Sequence, residues 1–171
     1  LLYAGTDDGL IQVSENGGES WRRIEVGSLP GVPKTAFVND IRADLHDANT
    51  VYVALDNHKY GDFEPYLLVS RNRGRSWTSI TEGIPERHLV QDHVEPGLMF
   101  AGTEFGVFMT LDGGRSWEKF SAGMPTIPIR DIQIQRREND VVAASFGRGF
   151  FVLDDYSFLR ELSAQAMAAE A

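Results

Sequence analysis

Thr110-Leu111-Asp112-Gly113-Gly114-Arg115-Ser116-Trp117 decides the fold, because its pattern occurs twice more in the chain. Ser14 to Trp21 reads S-E-N-G-G-E-S-W, and Ser70 to Trp77 reads S-R-N-R-G-R-S-W. The shared form is Ser/Thr, any, Asp/Asn, any, Gly, any, Ser, Trp. The chain has three tryptophans, and each closes one copy. A short apolar run precedes each copy: Leu10 to Val13, Tyr66 to Val69 and Gly106 to Met109. A further strand is expected from each Trp, so the pattern reads as a hairpin turn. Asn16, Asn72 and Asp112 are expected to accept hydrogen bonds from backbone N–H groups of their own turns. Gly18, Gly74 and Gly114 follow where a positive φ is needed. The Ser or Thr hydroxyl satisfies a further turn group. Trp21, Trp77 and Trp117 are expected to be buried in equivalent places. Every position of the pattern therefore has a structural task. Ser14, Asn16, Gly18, Trp21, Ser70, Asn72, Gly74, Trp77, Thr110, Asp112, Gly114 and Trp117 read as fold residues.

Successive copies lie 56 and then 40 residues apart. Periods near 40 to 50 with short strands indicate propeller blades. Each unit adds a strand before its hairpin, at Leu1–Thr6, Val51–Leu55, Leu98–Thr103 and Val141–Ser145. Each copy is followed by a proline connection, at Leu29-Pro30, Ile84-Pro85 and Met124-Pro125. An inner strand then begins: Phe37–Ala43, Leu89–Val94 and Ile129–Gln135. The third of these units is short between Pro85 and Leu98, so its inner strand is expected to be truncated or distorted. The fold class is all-β: a partial β-propeller of about three to four blades, two of them complete, with a short C-terminal helix. Residues 1–155 form the propeller, with blades broken near 36, 88 and 128. Residues 156–171 form a helical extension, rich in Ala, Leu, Met and Glu, capped by Asp155 or Ser157 and expected to leave the propeller. A closed propeller takes roughly 4 to 8 blades. The chain is therefore expected to be a fragment whose first partners are the remaining blades of a parent protein.

The repeated turn resembles the Asp-box, or BNR, repeat of sialidase-like and sortilin-like β-propellers. The third copy matches the family pattern fully, and Asn16 and Asn72 stand where the family prefers Asp. The G-T-E-F-G, R-R-E-N-D and F-G-R-G-F-F-V-L-D-D stretches look like those of large bacterial BNR-repeat proteins with sortilin-like propellers. Members of that group often carry the label glycosyl hydrolase, although the box itself does not perform that chemistry. The resemblance implies a secreted or periplasmic setting.

Composition narrows the partners. A net charge of −9 and an acidic pI argue against nucleic acid, whose phosphates demand clustered Lys and Arg. No apolar run approaches the roughly 20 residues of a membrane-spanning helix, so no transmembrane segment is expected. The chain has no cysteine, hence no disulfide framework and no thiolate metal site. No cofactor and no metal are expected. His88 and His93 bracket Asp92, but a strand does not point both rings one way. The Asn16-Gly17-Gly18 and Asp112-Gly113-Gly114 turns lack the alternating carboxylates of a calcium loop.

In a propeller blade with strands a to d, the c–d turns share one face and the b–c loops the other. The Trp-closed turns are c–d turns, so functional residues are expected in the d–a loops and in the b–c loops. The b–c loops are Asp7-Asp8-Gly9, the insertion 56–65, Glu104-Phe105 and Phe146-Gly147-Arg148-Gly149. Candidate binding residues are Asp7, Asp8, Asp56, Tyr60, Phe63, Phe105 and Arg148. Paired carboxylates are the machinery of glycoside hydrolysis, which makes Asp62, Glu64 and Glu104 the candidate catalytic groups. A sialidase would also need several arginines and a tyrosine nucleophile with an acidic partner, and the sequence does not assemble that set. The favoured reading is a non-catalytic scaffold or binding module for protein, peptide or glycan. The alternative is a glycoside hydrolase, sialidase-like or xyloglucan-active, using carboxylates on the face away from the boxes. The insertion 56–65, which mixes Tyr60 and Phe63 with acidic groups, is the expected contact region.

Overall fold

The computed structural model describes residues 1–80, 86–121 and 123–169. The chain divides into two compact units, Leu1–Thr81 and Glu82–Ala171. The expected Ile84-Pro85 connection and the last two residues lie outside the described residues.

The first unit holds two antiparallel sheets. One is ordered β1-β2-β3, from Leu2–Gly5, Leu10–Ser14 and Arg22–Glu25. The other is ordered β4-β5-β6-β7, from Phe37–Ala43, Val51–Asn57, Asp62–Ser70 and Thr78–Ser79. Period-two alternation explains the core: Ile11 and Val13 of β2 and Val51, Val53 and Leu55 of β5 are fully or nearly fully buried. The connection after β3 is a 3-10 turn, Val26–Ser28, and a loop. It adds Val26, Leu29, Val32 and Ala36 to the same core. Gly5 sits where a Cβ would lie 2.3 Å from Val38 Cγ1, so this strand meets β4 at a distance only glycine allows.

The second unit repeats the scheme. One sheet is ordered β8-β9-β10-β11, from Glu86–Gln91, Met99–Thr103, Gly106–Thr110 and Glu118–Phe120. The other is ordered β12-β13-β14, from Ile129–Gln135, Asp140–Ser145 and Phe150–Leu153. Gly102 stands to Ile129 as Gly5 stands to Val38, with a Cβ falling 2.8 Å from Ile129 Cγ2. Phe100, Leu98, Ile129, Ile132 and Tyr156 form the centre of this core. The inner strand expected over Leu89–Val94 runs over Glu86–Gln91 instead and bulges between Glu86 and His88. It stops there because Asp92 turns the chain, accepting from Val94 N (3.1 Å) and Glu95 N (2.7 Å).

A 3-10 turn, Tyr156–Phe158, leads into α1, Leu159–Ala169. Asp155 caps it by accepting from Ser157 N at 3.2 Å. The helix does not simply leave the sheets. Tyr156 and Leu159 are buried in the core, and Ser163 Oγ donates to Leu111 O at 2.7 Å. Asp92, wholly buried, accepts from Tyr156 OH and from Arg160 Nε and Nη2 (2.9 Å each), and Arg160 Nη2 also donates to Asn139 Oδ1 (2.7 Å). Sequence reading missed this latch. Its signal was the four-residue spacing of Tyr156 and Arg160, which places both on one helical face. Among the described residues no helix is long and apolar enough to cross a membrane.

Candidate functional site

The three Trp-closed turns share one hydrogen-bond plan. Ser14 Oγ, Ser70 Oγ and Thr110 Oγ1 donate to Asn16, Asn72 and Asp112 Oδ1 at 3.0, 3.0 and 2.7 Å. The same hydroxyls accept from Gly18, Gly74 and Gly114 N at 2.8, 2.7 and 3.0 Å. The acid or amide oxygen then accepts from the N–H of Ser20, Ser76 or Ser116 at 3.0, 2.8 and 3.0 Å. The glycines take φ of 103°, 74° and 90°, as expected. The last bond differs in direction. Asn16 and Asn72 donate Nδ2 to Ser20 and Ser76 Oγ (2.9 and 2.8 Å), whereas Ser116 Oγ donates to Asp112 Oδ2. Burial pushes the Asp112 carboxyl up, but the Ser116 and Thr110 bonds outweigh it and hold it below its ordinary range.

The tryptophans are not equivalent, which corrects the expectation. Trp77 is 9% exposed, Trp117 is half-buried and Trp21 is 42% exposed. The second turn shows why: Trp77 lies in one core with Ile11 and Val13 of the preceding sheet, with Ile24 packed against it. Arg22 Nη1 and Nη2 reach across to Gly74 O (3.1 Å) and Arg73 O (2.5 Å), and Glu15 accepts from Arg73 (3.1 Å) and Arg75 (2.6 Å).

At the opposite end of each sheet lie the b–c connections. Asp7 and Asp8 are exposed, and Thr6 Oγ1 donates to Asp8. Asp8 borders an open polar hollow of about 590 Å³ shared with Arg23, Glu25 and Lys34. The 56–65 insertion is not a loose loop. It continues β5 and β6 as a longer hairpin, with Asn57 opposite Asp62 and a 3-10 tip over His58–Tyr60. Asp56, assigned to binding, is buried; it accepts from His58 N (2.8 Å) and faces His58 Nδ1 at 2.7 Å. Lys59 Nζ lies 4.1 Å from the Phe37 ring centre. Tyr60 and Phe63 remain strongly exposed, Phe63 at 76%.

Two of the three candidate carboxylates, Asp62 and Glu104, are held by neighbours within their own unit. Asp62 accepts from Asn57 Nδ2 (2.8 Å), Tyr66 OH (2.8 Å) and Glu64 N (3.0 Å), and these bonds lower its pKa. That arrangement keeps it ionised and holds the hairpin; it is the opposite of a general acid. The Tyr66–Asp62 pair has the composition of a tyrosine nucleophile and its acid. Burial and the bond to Asp62 push the Tyr66 phenol up to about 12, away from phenolate. Glu64 is exposed.

In the second unit Glu104 lies 3.2 Å from Arg130 Nη1, and the Arg130 guanidinium stacks 4.8 Å from the Phe146 ring centre. Arg130, at the start of β12, was not singled out from sequence. It ties the β9–β10 turn to the β13–β14 turn and holds Phe105 and Phe146 at one rim, both exposed, Phe146 at 66%. Arg148, between Gly147 and Gly149 at positive φ, is exposed on the same turn. Among the described residues no three His, Cys, Asp or Glu side chains are grouped to hold a metal.

No family model and no curated protein matches the chain. Solved structures do. YCF48 bound to a D1 peptide aligns over 90% of the chain with a TM-score of 0.62 at 16% identity, using 46% of its own length. YCF48 from Cyanidioschyzon merolae gives 0.61 at 17% identity over 88% of the chain and 48% of its own. The GH74 xyloglucanase from Xanthomonas campestris gives 0.64 at 16% identity over 96% of the chain and 27% of its own. The chain thus spans less than half the length of each. At these identities the likeness concerns fold. With the four antiparallel sheets, it identifies a partial β-propeller with two complete blades and a short C-terminal helix.

Proposed function

We propose that this chain is part of a non-catalytic binding propeller that makes its contacts through the b–c connections of each unit. The observation that carries this is the distribution of aromatic rings. Tyr60, Phe63, Phe105 and Phe146 are all exposed, and all four lie in b–c connections. In each unit, large apolar groups on strand-borne turns are suited to stacking on a peptide side chain or a sugar face. The nearby carboxylates are engaged structurally: Asp62 by three donors, Glu104 by Arg130. Asp7, Asp8 and Arg148 add charge at the same ends.

In this reading the eight-residue turns are Asp-boxes of a BNR-repeat, sortilin-like protein. The remaining blades come from a parent polypeptide, and the ligand is a peptide or glycan. A propeller solved with a bound peptide has the same fold, which agrees with this class of partner. The test is binding to peptide and glycan arrays, run beside hydrolysis assays on sialosides and β-glucan oligosaccharides. Ligand capture lost in Tyr60→Ser/Phe63→Ser or Phe105→Ser/Phe146→Ser proteins, with no bond cleavage, supports the proposal. Turnover abolished by Asp62→Asn or Glu104→Gln would overturn it in favour of a glycoside hydrolase.

A further inference from the structure

The second Trp-closed turn differs from the first in one bond. Trp21 Nε1 donates to Gly18 O at 3.1 Å, within its own turn. The corresponding carbonyl of the second turn, Gly74 O, is taken by Arg22 Nη1 at 3.1 Å, and the buried Trp77 Nε1 has no acceptor. Both indoles lie against their glycine: a Cβ there would fall 4.0 Å from Trp21 Cζ2 and 3.4 Å from Trp77 Cζ2. Tyr3 OH, also buried without a partner, lies in the field of Arg73, Arg22 and Arg75. One carboxylate serves these three arginines. Glu15 accepts from Arg73 (3.1 Å) and Arg75 (2.6 Å), and the Arg73 bond, with the charges of Arg75 and Arg22 behind it, holds its pKa below the ordinary value. Arg23 is exposed and has no partner among the described residues. Donors without acceptors are costly, so this part of the first unit is short of oxygen and of negative charge. That runs against a chain of net charge −9. An open hollow of about 620 Å³ lies at the same place, lined by Arg22, Arg23, Arg75, Trp77, Leu29 and Pro30 among others.

From this we infer that the hollow beside β3 binds an acidic segment of a partner polypeptide, its carboxylates held by the guanidinium groups of Arg22, Arg23 and Arg75. An arginine presents paired N–H donors that match a carboxylate in two parallel bonds. Arg22 spends its donors on two backbone carbonyls, Gly74 O and Arg73 O, which are weaker acceptors than a carboxylate. An arriving acid draws Arg22 off Gly74 O. That carbonyl then accepts from Trp77 Nε1, as Gly18 O accepts from Trp21. One indole proton therefore reports the binding. Glu25, the one acid among the lining residues, selects the class of partner. It stands two residues from Arg23 and on the same face of β3. An anionic glycan repeats its charge along its length and brings it against Glu25. A peptide sets acids against the arginines, an apolar side chain over Leu29 and Pro30, and a lysine at Glu25. Elsewhere the acidic chain repels such a peptide, so its capture reports this site.

The probe is the blocked peptide Glu-Glu-Leu-Lys, titrated into the isotope-labelled 171-residue chain and followed by indole and amide chemical shifts and by hydrogen exchange. The Trp77 indole N–H should move toward the bonded position that Trp21 already shows, and its exchange should slow. Amide shifts should centre on residues 22–25 and 73–77, and added salt should weaken the binding. Arg23→Glu changes an exposed side chain without a partner, so the fold should stay intact while affinity falls at least about ten-fold. In Arg22→Ala the Trp77 indole should occupy the bonded position without peptide, and peptide should no longer move it. Gln-Gln-Leu-Lys should not bind. An Arg23→Glu protein that binds as wild type, a Trp77 indole that stays still, equal binding of the uncharged peptide, or no binding at all would overturn the inference. A sulfated oligosaccharide that binds these residues more tightly than the acidic peptide would overturn the choice of partner and give the hollow to a glycan. Failure here leaves the b–c proposal standing, because Tyr60, Phe63, Phe105 and Phe146 take no part in this hollow.

Discussion

Replacing Asp92 with alanine removes the acceptor that ties α1 to the sheets of the second unit. The wild-type carboxylate is fully buried and takes donors from Tyr156, Arg160, Val94 and Glu95. The variant leaves the Arg160 guanidinium and the Tyr156 hydroxyl without it. Breaking a buried pair from one side costs roughly 3–5 kcal/mol. A second route gives the carboxylate's own share. Burial pushes its pKa up, but the bonds from Arg160, Tyr156 and the two backbone N–H groups outweigh it and hold it at about 2, against an ordinary 3.8. At about 1.4 kcal/mol per unit, that depression is worth roughly 2–3 kcal/mol. The sign follows: the folded pKa lies below the unfolded one, so this stability is present above about pH 4 and is lost as pH falls toward 2. Alanine exceeds the titration figure because it also strands the donors. Urea unfolding of wild type, Asp92→Ala and Asp92→Asn at pH 7 and at pH 2.5, with hydrogen exchange of residues 159–169, measures all of this. The alanine variant should lose about 3–5 kcal/mol at pH 7, and the gap between wild type and Asp92→Asn should narrow in acid. A loss under about 1 kcal/mol, or a gap independent of pH, would refute the latch.

Other outcomes follow from burial and close approach. Trp77→Ala should cost about 3–5 kcal/mol and Trp21→Ala much less, read by urea unfolding, because only the former ring is covered by a neighbouring sheet. Gly102→Ala should cost about 1–3 kcal/mol, since the new Cβ meets Ile129; a calorimetric melting temperature equal to wild type would contradict that. Tyr60→Ser/Phe63→Ser should change stability by no more than about 0.5 kcal/mol, whereas Asn57→Ala, which removes a buried side chain bonded to Thr35 and Asp62, should measurably lower it in the same assay.

The strands were legible because their apolar runs are short and their turns repeat. Phe37–Ala43 and Ile129–Gln135 were read with their observed bounds. Turn chemistry is local, so Asn16, Asn72 and Asp112 could be assigned their bonds from eight residues each. What failed was non-local. The burial of a Trp depends on whether another sheet lies against it, which the turn's own sequence does not encode. The Asp92–Tyr156–Arg160 latch joins positions 64 and more residues apart. The 56–65 segment looked like a loop because Asp, Asn, Gly and Pro interrupt it, yet the cross-strand bond from Asn57 to Asp62, with Tyr66 OH bonded to the same carboxylate along β6, carries the pairing through. Arg130 was hidden because a polar residue at an outward strand position carries no pattern of its own; only the fold brings Glu104 and Phe146 to it.

The reversible hydroxyl in the Trp-closed turns bears on how this chain ages. Asn16 is followed by Gly17, a pairing prone to side-chain hydrolysis, and such chemistry would convert the amide to a carboxylate. In the first turn Asn16 Nδ2 gives its hydrogen to Ser20 Oγ; in the third, Ser116 Oγ gives its hydrogen to Asp112. The backbone bond from Ser20 N or Ser116 N to the remaining oxygen is common to both, and Asp112 accepts a second from Arg115 N. A conversion of Asn16 to aspartate therefore requires only that Ser20 rotate its O–H. Only the aspartate product is absorbed as a change of charge; the isoaspartate that opening of the cyclic imide also yields lengthens the main chain by one carbon and would disrupt the hairpin.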